Sequence, residues 1–128
     1  MEYSIFRFTL NMHTHRSQVS IPVMCGDTAV RLLITLSDGG NTYRIEDGCV
    51  AVLTGKKPDG NPLVNACVIL NNATIQYDFT EQTSNCEGIV DCELNVYGKD
   101  GGLVTTGRFT LVVGDRVLNS YDVESVLE

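Results

Sequence analysis

Two histidines one residue apart, His13 and His15 in Asn11-Met12-His13-Thr14-His15-Arg16, are the first residues here whose spacing suggests chemistry. Side chains at i and i+2 of an extended strand point the same way, so His-x-His can offer two imidazoles to one metal ion. Tetrahedral zinc needs further ligands from the protein, or water beside them. No third ligand is signalled nearby, and Arg16 sets a cation next to the pair. Two surface or loop histidines are the plainer reading, and no metal site is assigned.

Carboxylates are more plentiful: Glu46-Asp47, Asp78, Glu81, Asp91 and Glu93. Asp91 and Glu93 resemble an acid–base pair, but strict alternation around them makes that face the solvent side of a half-buried strand. Asp27 and Asp38 stand among turn residues, where Asp bonds its own backbone. Nucleophilic catalysis requires a base beside the nucleophile and a group that orients the base, and no such set is signalled. Gly26, Gly39-Gly40 and Gly101-Gly102 lack the Gly-Lys-Ser/Thr ending and following helix of a phosphate loop. No catalytic residue and no cofactor are assigned, and the chain is expected not to be an enzyme.

Five cysteines, Cys25, Cys49, Cys67, Cys86 and Cys92, show no Cys-x-x-Cys spacing. The odd count, and an N-terminus without the basic-then-apolar layout of a secretory signal, argue against a disulfide framework. Cys49, Cys67 and Cys92 fall inside strand patterns, where a thiol behaves as a small buried hydrophobe. Synthesis and retention in a cytoplasm follow, unless a larger assembly carries the protein out.

Nine basic against sixteen acidic residues give a net charge of −7. Nucleic-acid affinity rests on clustered cations, and Lys56-Lys57 is the only adjacent pair; its place beside a tight turn is that of an ordinary solubilising choice. Nucleic-acid binding and adhesion to an anionic membrane are both disfavoured. No apolar run approaches the ~18 residues of a spanning helix, so no membrane insertion is expected. At 128 residues the chain suits one compact domain with a real core.

The elements that position these residues are strands. Extended patterns run over 3–11, 18–24, 29–36, 49–57, 62–70, 73–79, 89–97 and 103–113, mostly separated by Gly, Asn and Asp clusters. Short strands at such spacing mark an all-β sandwich or barrel. Residues 80–88 form a polar connection, with room for one helical turn, that crosses from one sheet to the other. Residues 1–114 are expected to form the sandwich, and 115–128 a tail, short helix or start of a helical linker.

Residues 50–79 predict a three-strand meander. Asn71-Asn72 suits a two-residue primed turn, pairing Leu70 with Ala73, Val68 with Ile75, Ala66 with Tyr77 and Val64 with Phe79 on an inward apolar face. Lys57-Pro58-Asp59-Gly60 predicts a type I turn with glycine in the left-handed position. A three-residue loop there adds Val50, Val52 and Thr54 to the same face; a four-residue loop offers Ala51 and Leu53 instead. Farther on, Val90, Cys92, Leu94 and Val96 alternate with polar residues, and the return strand turns Phe109, Leu111 and Val113 inward. Gly107 interrupts that strand and reads as a bulge or bend.

The segment 115–128 fits neither period cleanly, although Leu118, Tyr121 and Ser125 have helical offsets. Its Leu118, Tyr121, Val123, Val126 and Leu127 are expected to form a contact element. Tyr43, Tyr97 and Tyr121 are candidate sugar-stacking residues.

Three stretches resemble a known family. They are Gly55-Lys56-Lys57-Pro58-Asp59-Gly60; Tyr77-Asp78-Phe79-Thr80-Glu81-Gln82 followed by Gly88-Ile89-Val90-Asp91-Cys92-Glu93-Leu94; and 101–113 with Gly107-Arg108-Phe109. Together with Gly26-Asp27-Thr28-Ala29 they are similar to the N-terminal domain of phage baseplate upper proteins, over most of 18–113. Gly107 departs from the proline common before the Arg-Phe pair, and the cysteines are atypical.

The resemblance implies an antiparallel, immunoglobulin-like β-sandwich of about 8 strands in a phage or prophage tail tip. Such domains attach receptor-binding components to other tail and baseplate proteins, commonly as homotrimers, without catalysis. The particle, rather than the cytoplasm, is then the working location. The rival reading is an adhesion sandwich that recognises a bacterial surface glycan.

Overall fold

The computed structural model describes residues 2–12 and 16–114. Within them lie ten strands: β1 (Ser4–Asn11), β2 (Ser17–Met24), β3 (Val30–Asp38), β4 (Asn41–Thr42), β5 (Val50–Lys56), β6 (Pro62–Ala66), β7 (Val68–Asn71), β8 (Thr74–Asp78), β9 (Gly88–Tyr97) and β10 (Leu103–Gly114). One sheet runs β1-β3-β8-β7, with the short β4 also on β3, and the other runs β2-β10-β9-β5-β6. Leu32, Ile34, Ile75 and Tyr77 from the first sheet bury against Leu53, Leu94, Phe109 and Leu111 from the second.

The sandwich is as expected, but its sheets are mixed. β1 lies parallel to β3 and β2 parallel to β10, while the other pairings are antiparallel. The chain alternates between sheets over its first three strands, so neighbours in sequence are not partners. Parallel pairs require such crossovers rather than hairpins. Single-strand alternation carries no sign of this.

The β9–β10 hairpin has the anticipated faces, with Val90, Cys92, Leu94 and Val96 buried opposite Phe109, Leu111 and Val113. The β5–β6 turn is also as anticipated: the Gly60 N–H donates to Lys57 O at 3.0 Å, and Gly60 has φ of 86°. Residues 80–88 carry the chain from β8 in one sheet to β9 in the other, as bends and turns without a helix.

The meander over 50–79 is not formed. β6 belongs to one sheet and β7 to the other, and the chain changes layers at Cys67, whose N–H donates to Ala51 O at 2.9 Å. The β5–β6 pairs Val52–Ala66 and Thr54–Val64 match the three-residue-loop register, yet Ala51, Leu53 and Leu63 face the core. Val64 is 64% and Val68 55% exposed, whereas Ile75 and Phe79 are buried.

Two local bonds explain the reversal. Asn65 turns toward the interior because its Oδ1 accepts the Tyr77 hydroxyl at 2.9 Å. In β7–β8, Asn71 pairs with Thr74 and Ile69 with Ile75, so Leu70 is an extra residue and the register slips by one. The turn residues are Asn72 and Ala73, held by Asn71 Oδ1 on the Ala73 N–H at 2.9 Å and by Ala73 O accepting from Leu36 N–H at 2.9 Å.

Gly107 is neither a bulge nor an exposed bend. It is buried in β10 at a regular pair with Leu94. A Cβ there would lie 2.8 Å from Leu10 Cδ2 and from Met12 Sδ. The position is where β1 presses on the facing sheet.

Candidate interaction surface

The residues singled out for chemistry do not converge. His13 and His15 lie outside the described residues, as do Leu118, Tyr121, Val123, Val126 and Leu127. Among the described residues no three His, Cys, Asp or Glu side chains are placed to hold a metal ion. No helix there is long and apolar enough to cross a membrane.

Asp78 and Glu93 belong to ion pairs. Glu93 Oε1 takes Arg108 Nη2 at 2.8 Å across β9–β10. Asp91 sits opposite Lys56 on β5. Asp78 accepts both Arg31 Nε at 2.7 Å and Arg31 Nη2 at 3.0 Å, and Gln76 adds a third donor. That bidentate contact holds the Asp78 carboxyl below its usual range and raises Arg31 further. The guanidinium also lies 4.2 Å from the centre of the Tyr3 ring. Asp27 caps Met24 N–H at 3.0 Å.

Lys57 differs from the solubilising role expected of it. It is 3% exposed, with Nζ 3.4 Å from Gln82 Oε1 and 3.6 Å from Asp59 Oδ2. Pro58 beside it packs against Gly88, where an added Cβ would meet Pro58 Cγ at 2.8 Å. The β5–β6 turn is thereby fastened to the 80–88 crossover.

Cys49, Cys67, Cys86 and Cys92 are free thiols. Burial pushes the Cys67 and Cys92 thiols up to about 12. A thiol so far above its ordinary value is a packing group rather than a nucleophile.

Tyr43 lines a cleft of about 570 Å³ with Glu46, Asp47, Cys49, Lys99 and Val104. Burial, then the nearby Cys49, Glu46 and Asp38, raise its phenol above the ordinary value. Tyr97 is not part of that lining: it follows inward-facing Val96 and points to the outer side of the sheet.

The outer face of the β2-β10-β9-β5-β6 sheet has a polar middle and apolar ends. Its middle is knit by Thr106 donating to Asn95 Oδ1 at 3.0 Å, Asn95 Nδ2 donating to Thr54 Oγ1 at 3.0 Å, and Ser20 bonding Thr110 at 2.9 Å. At the β6–β7 corner, Val50, Val64, Ala66, Val68 and Leu70 are all exposed and carry no charge. The Cys67–Ala51 bond carries the β5 register one step further and sets Val68 level with Val50. Val64 and Ala66 lie on β6 at the edge of one sheet, Val68 and Leu70 on β7 at the edge of the other, and Val50 on β5 beside β6; exposed apolar residues along edge strands are a usual mark of a contact surface. The meander reading placed Val64, Ala66, Val68 and Leu70 in the core, and Val50 with them in its three-residue-loop register, so it missed them as surface.

A two-layer β-sandwich of mixed strand order, with exposed apolar residues where its edge strands β6 and β7 meet, defines the class of protein. The sequence model of the BppU N-terminal domain, the N-terminal domain of the baseplate upper protein, matches residues 4–126, and the chain belongs to this family. Family membership makes it a structural domain of the phage baseplate and a component of the virion tail. Among solved structures it is similar to the N-terminal domain of phage TP901-1 ORF48, with a TM-score of 0.65 at 13% identity over 85% of this chain and 97% of that one. At that identity the likeness speaks for the fold. No curated protein matches the chain.

Proposed function

We propose that this domain is a non-enzymatic adaptor that attaches receptor-binding components to the phage tail, with the β6–β7 corner as a contact surface. The observation that carries the reading is the exposure of uncharged Val50, Val64, Ala66, Val68 and Leu70. Seven net negative charges oppose non-specific association, so exposed positions free of charge are suited to a mating surface. Homotrimer formation, as implied by the family resemblance, and residence in a prophage belong to the same reading.

The test is co-expression with the tail proteins encoded beside it, followed by size-exclusion chromatography with light scattering. The adaptor reading predicts a stoichiometric complex with at least one of them. Recovery of this chain alone from every pairing overturns it.

A glycan-binding reading is favoured by one observation, the cleft that sets Tyr43 beside Glu46 and Asp47. Titration of bacterial cell-wall glycans against Tyr43→Ala and the unaltered protein separates the two. Tyr43-dependent binding supports the second reading.

A further inference from the structure

β1 ends its sheet on one side, and among the described residues no strand lies beyond it. The Ser4 and Met12 N–H groups donate to Ala29 O and Ser37 O, each at 2.8 Å, and the parallel pairing from Ser4–Val30 to Asn11–Ser37 is unbroken. In that ladder the even-numbered residues bond β3, so Ile5, Arg7, Thr9 and Asn11 turn their N–H and C=O groups outward. Asn11 is already answered. Its N–H donates to Gln18 Oε1 and its C=O accepts from Gln18 Nε2, both at 2.6 Å. One carboxamide thus makes on Asn11 the two bonds of an antiparallel hydrogen-bonded pair. Ile5, Arg7 and Thr9 stay open, and all are exposed.

The other sheet edges are blunted. β2 carries Pro22 and a register shift against β10, β6 begins at Pro62 and spans 5 residues, and β7 spans 4 with Leu70 as an extra residue. β1 has 8 residues without proline or bulge. Its inward side chains Phe6 and Phe8 are only partly buried, which leaves apolar surface for an added strand to cover. Arg7 is the single charge on β1 and β2 together, and among the described residues no carboxylate lies within ion-pair distance of it.

We propose that β1 binds an extended segment of a partner protein, added antiparallel at Ile5, Arg7 and Thr9, with an Asp or Glu of that segment beside Arg7. Residues directly opposite in an antiparallel pair share a sheet face, so an acid there stands within reach of the guanidinium. A second copy is the poorer occupant. The antiparallel register that uses all three open positions sets Arg7 against Arg7, and like charges directly opposite destabilise a sheet. Main-chain bonds supply the affinity, and the charge pair with the side chains over Phe6 and Phe8 supplies the selectivity. The inference does not rest on the adaptor reading, because β1 lies at the opposite edge of its sheet from β7.

The test is residue-resolved amide exchange by NMR on the full chain, with the peptide Val-Thr-Val-Asp-Val-Thr-Val as probe. Its aspartate faces Arg7 in the register that sets its threonines on Ile5 and Thr9. In the unbound protein the Phe6, Phe8 and Leu10 amides exchange slowly and those of Ile5, Arg7 and Thr9 fast, at low and high protein concentration alike. Saturating peptide slows the Ile5, Arg7 and Thr9 amides by about tenfold or more. Arg7→Glu weakens peptide binding by about fivefold or more, and a peptide with lysine in place of aspartate restores it. Slow exchange at Phe6, Phe8 and Leu10 in the variant checks that β1 stays on β3.

Slow exchange at Ile5, Arg7 and Thr9 in the unbound monomer overturns the proposal, because the edge is then already covered. Slowing that grows with protein concentration alongside a larger mass makes a second copy the occupant and overturns it too. So does an absence of slowing at millimolar peptide, or binding that ignores both Arg7→Glu and the peptide's charge.

Discussion

Leu10 of β1 and Gly107 of β10 touch across the sandwich so closely that a Cβ at 107 would stand 2.8 Å from the Leu10 Cδ2 methyl. The glycine is needed for space, not for backbone freedom. Leu10 is fully buried and Met12 crowds the same point, so neither can swing aside without disturbing the core. Gly107→Ala should cost about 1–3 kcal/mol by overpacking. Leu10→Ala alone should cost about 2–5 kcal/mol. The double variant should be more stable than the sum of both losses implies, as measured by denaturant unfolding.

The Arg31–Asp78 contact makes a pH prediction. The folded carboxyl is held below its ordinary value, so its stabilisation is complete above about pH 4 and is lost as pH falls through the lowered folded value. Melting temperatures of the unaltered protein and Asp78→Asn should differ by a constant amount from about pH 7 to pH 5, and converge once the pH falls below the lowered folded value. A gap that persists in strong acid contradicts this role. High salt should narrow the gap at neutral pH, because both side chains are partly exposed.

Tyr77 is the junction of a buried polar network. Its hydroxyl donates to Asn65 and bonds Thr83 Oγ1 at 2.8 Å, while the Thr80 N–H donates to the same Thr83 oxygen at 2.9 Å. Tyr77→Phe leaves Asn65 and Thr83 short of a partner and should cost about 1–3 kcal/mol. Burial raises this phenol, so in a spectrophotometric titration Tyr77 should ionise only when the protein unfolds in alkali.

The Cys67 and Cys92 thiols should react with a disulfide reagent at pH 8 no faster than the protein unfolds, given where burial places them. In denaturant all five thiols should react freely. Rapid labelling of Cys92 in the folded state would contradict its place on the inner face of β9.

Most strand positions and the β5–β6 turn were legible because alternation and turn residues are local signals, whereas the β7–β8 turn falls one residue later than Asn71-Asn72 implied. Facing was legible in β9 and β10, where one parity is apolar and the other is not. It failed in 62–70, where Leu63 and Ile69 compete with Val64, Val68 and Leu70, and the decision falls to Asn65 and its bond to Tyr77. The layer change at Cys67 carries no glycine or proline to announce it. The parallel pairs are set by partners far along the chain, as Ile21 opposite Leu111 illustrates. Lys57 looked like a surface cation because its burial under the 80–88 crossover is a tertiary fact.

The contact role of the β6–β7 corner is tested most directly by Val64→Glu, a change at a side chain that is mostly in water. Co-purification with the neighbouring tail proteins, measured by light scattering after size exclusion, should give a complex with the unaltered chain. With Val64→Glu the melting temperature should hold within a few degrees, about what surface substitutions cause, while the complex is lost. A complex of undiminished yield and mass with the variant would contradict the account.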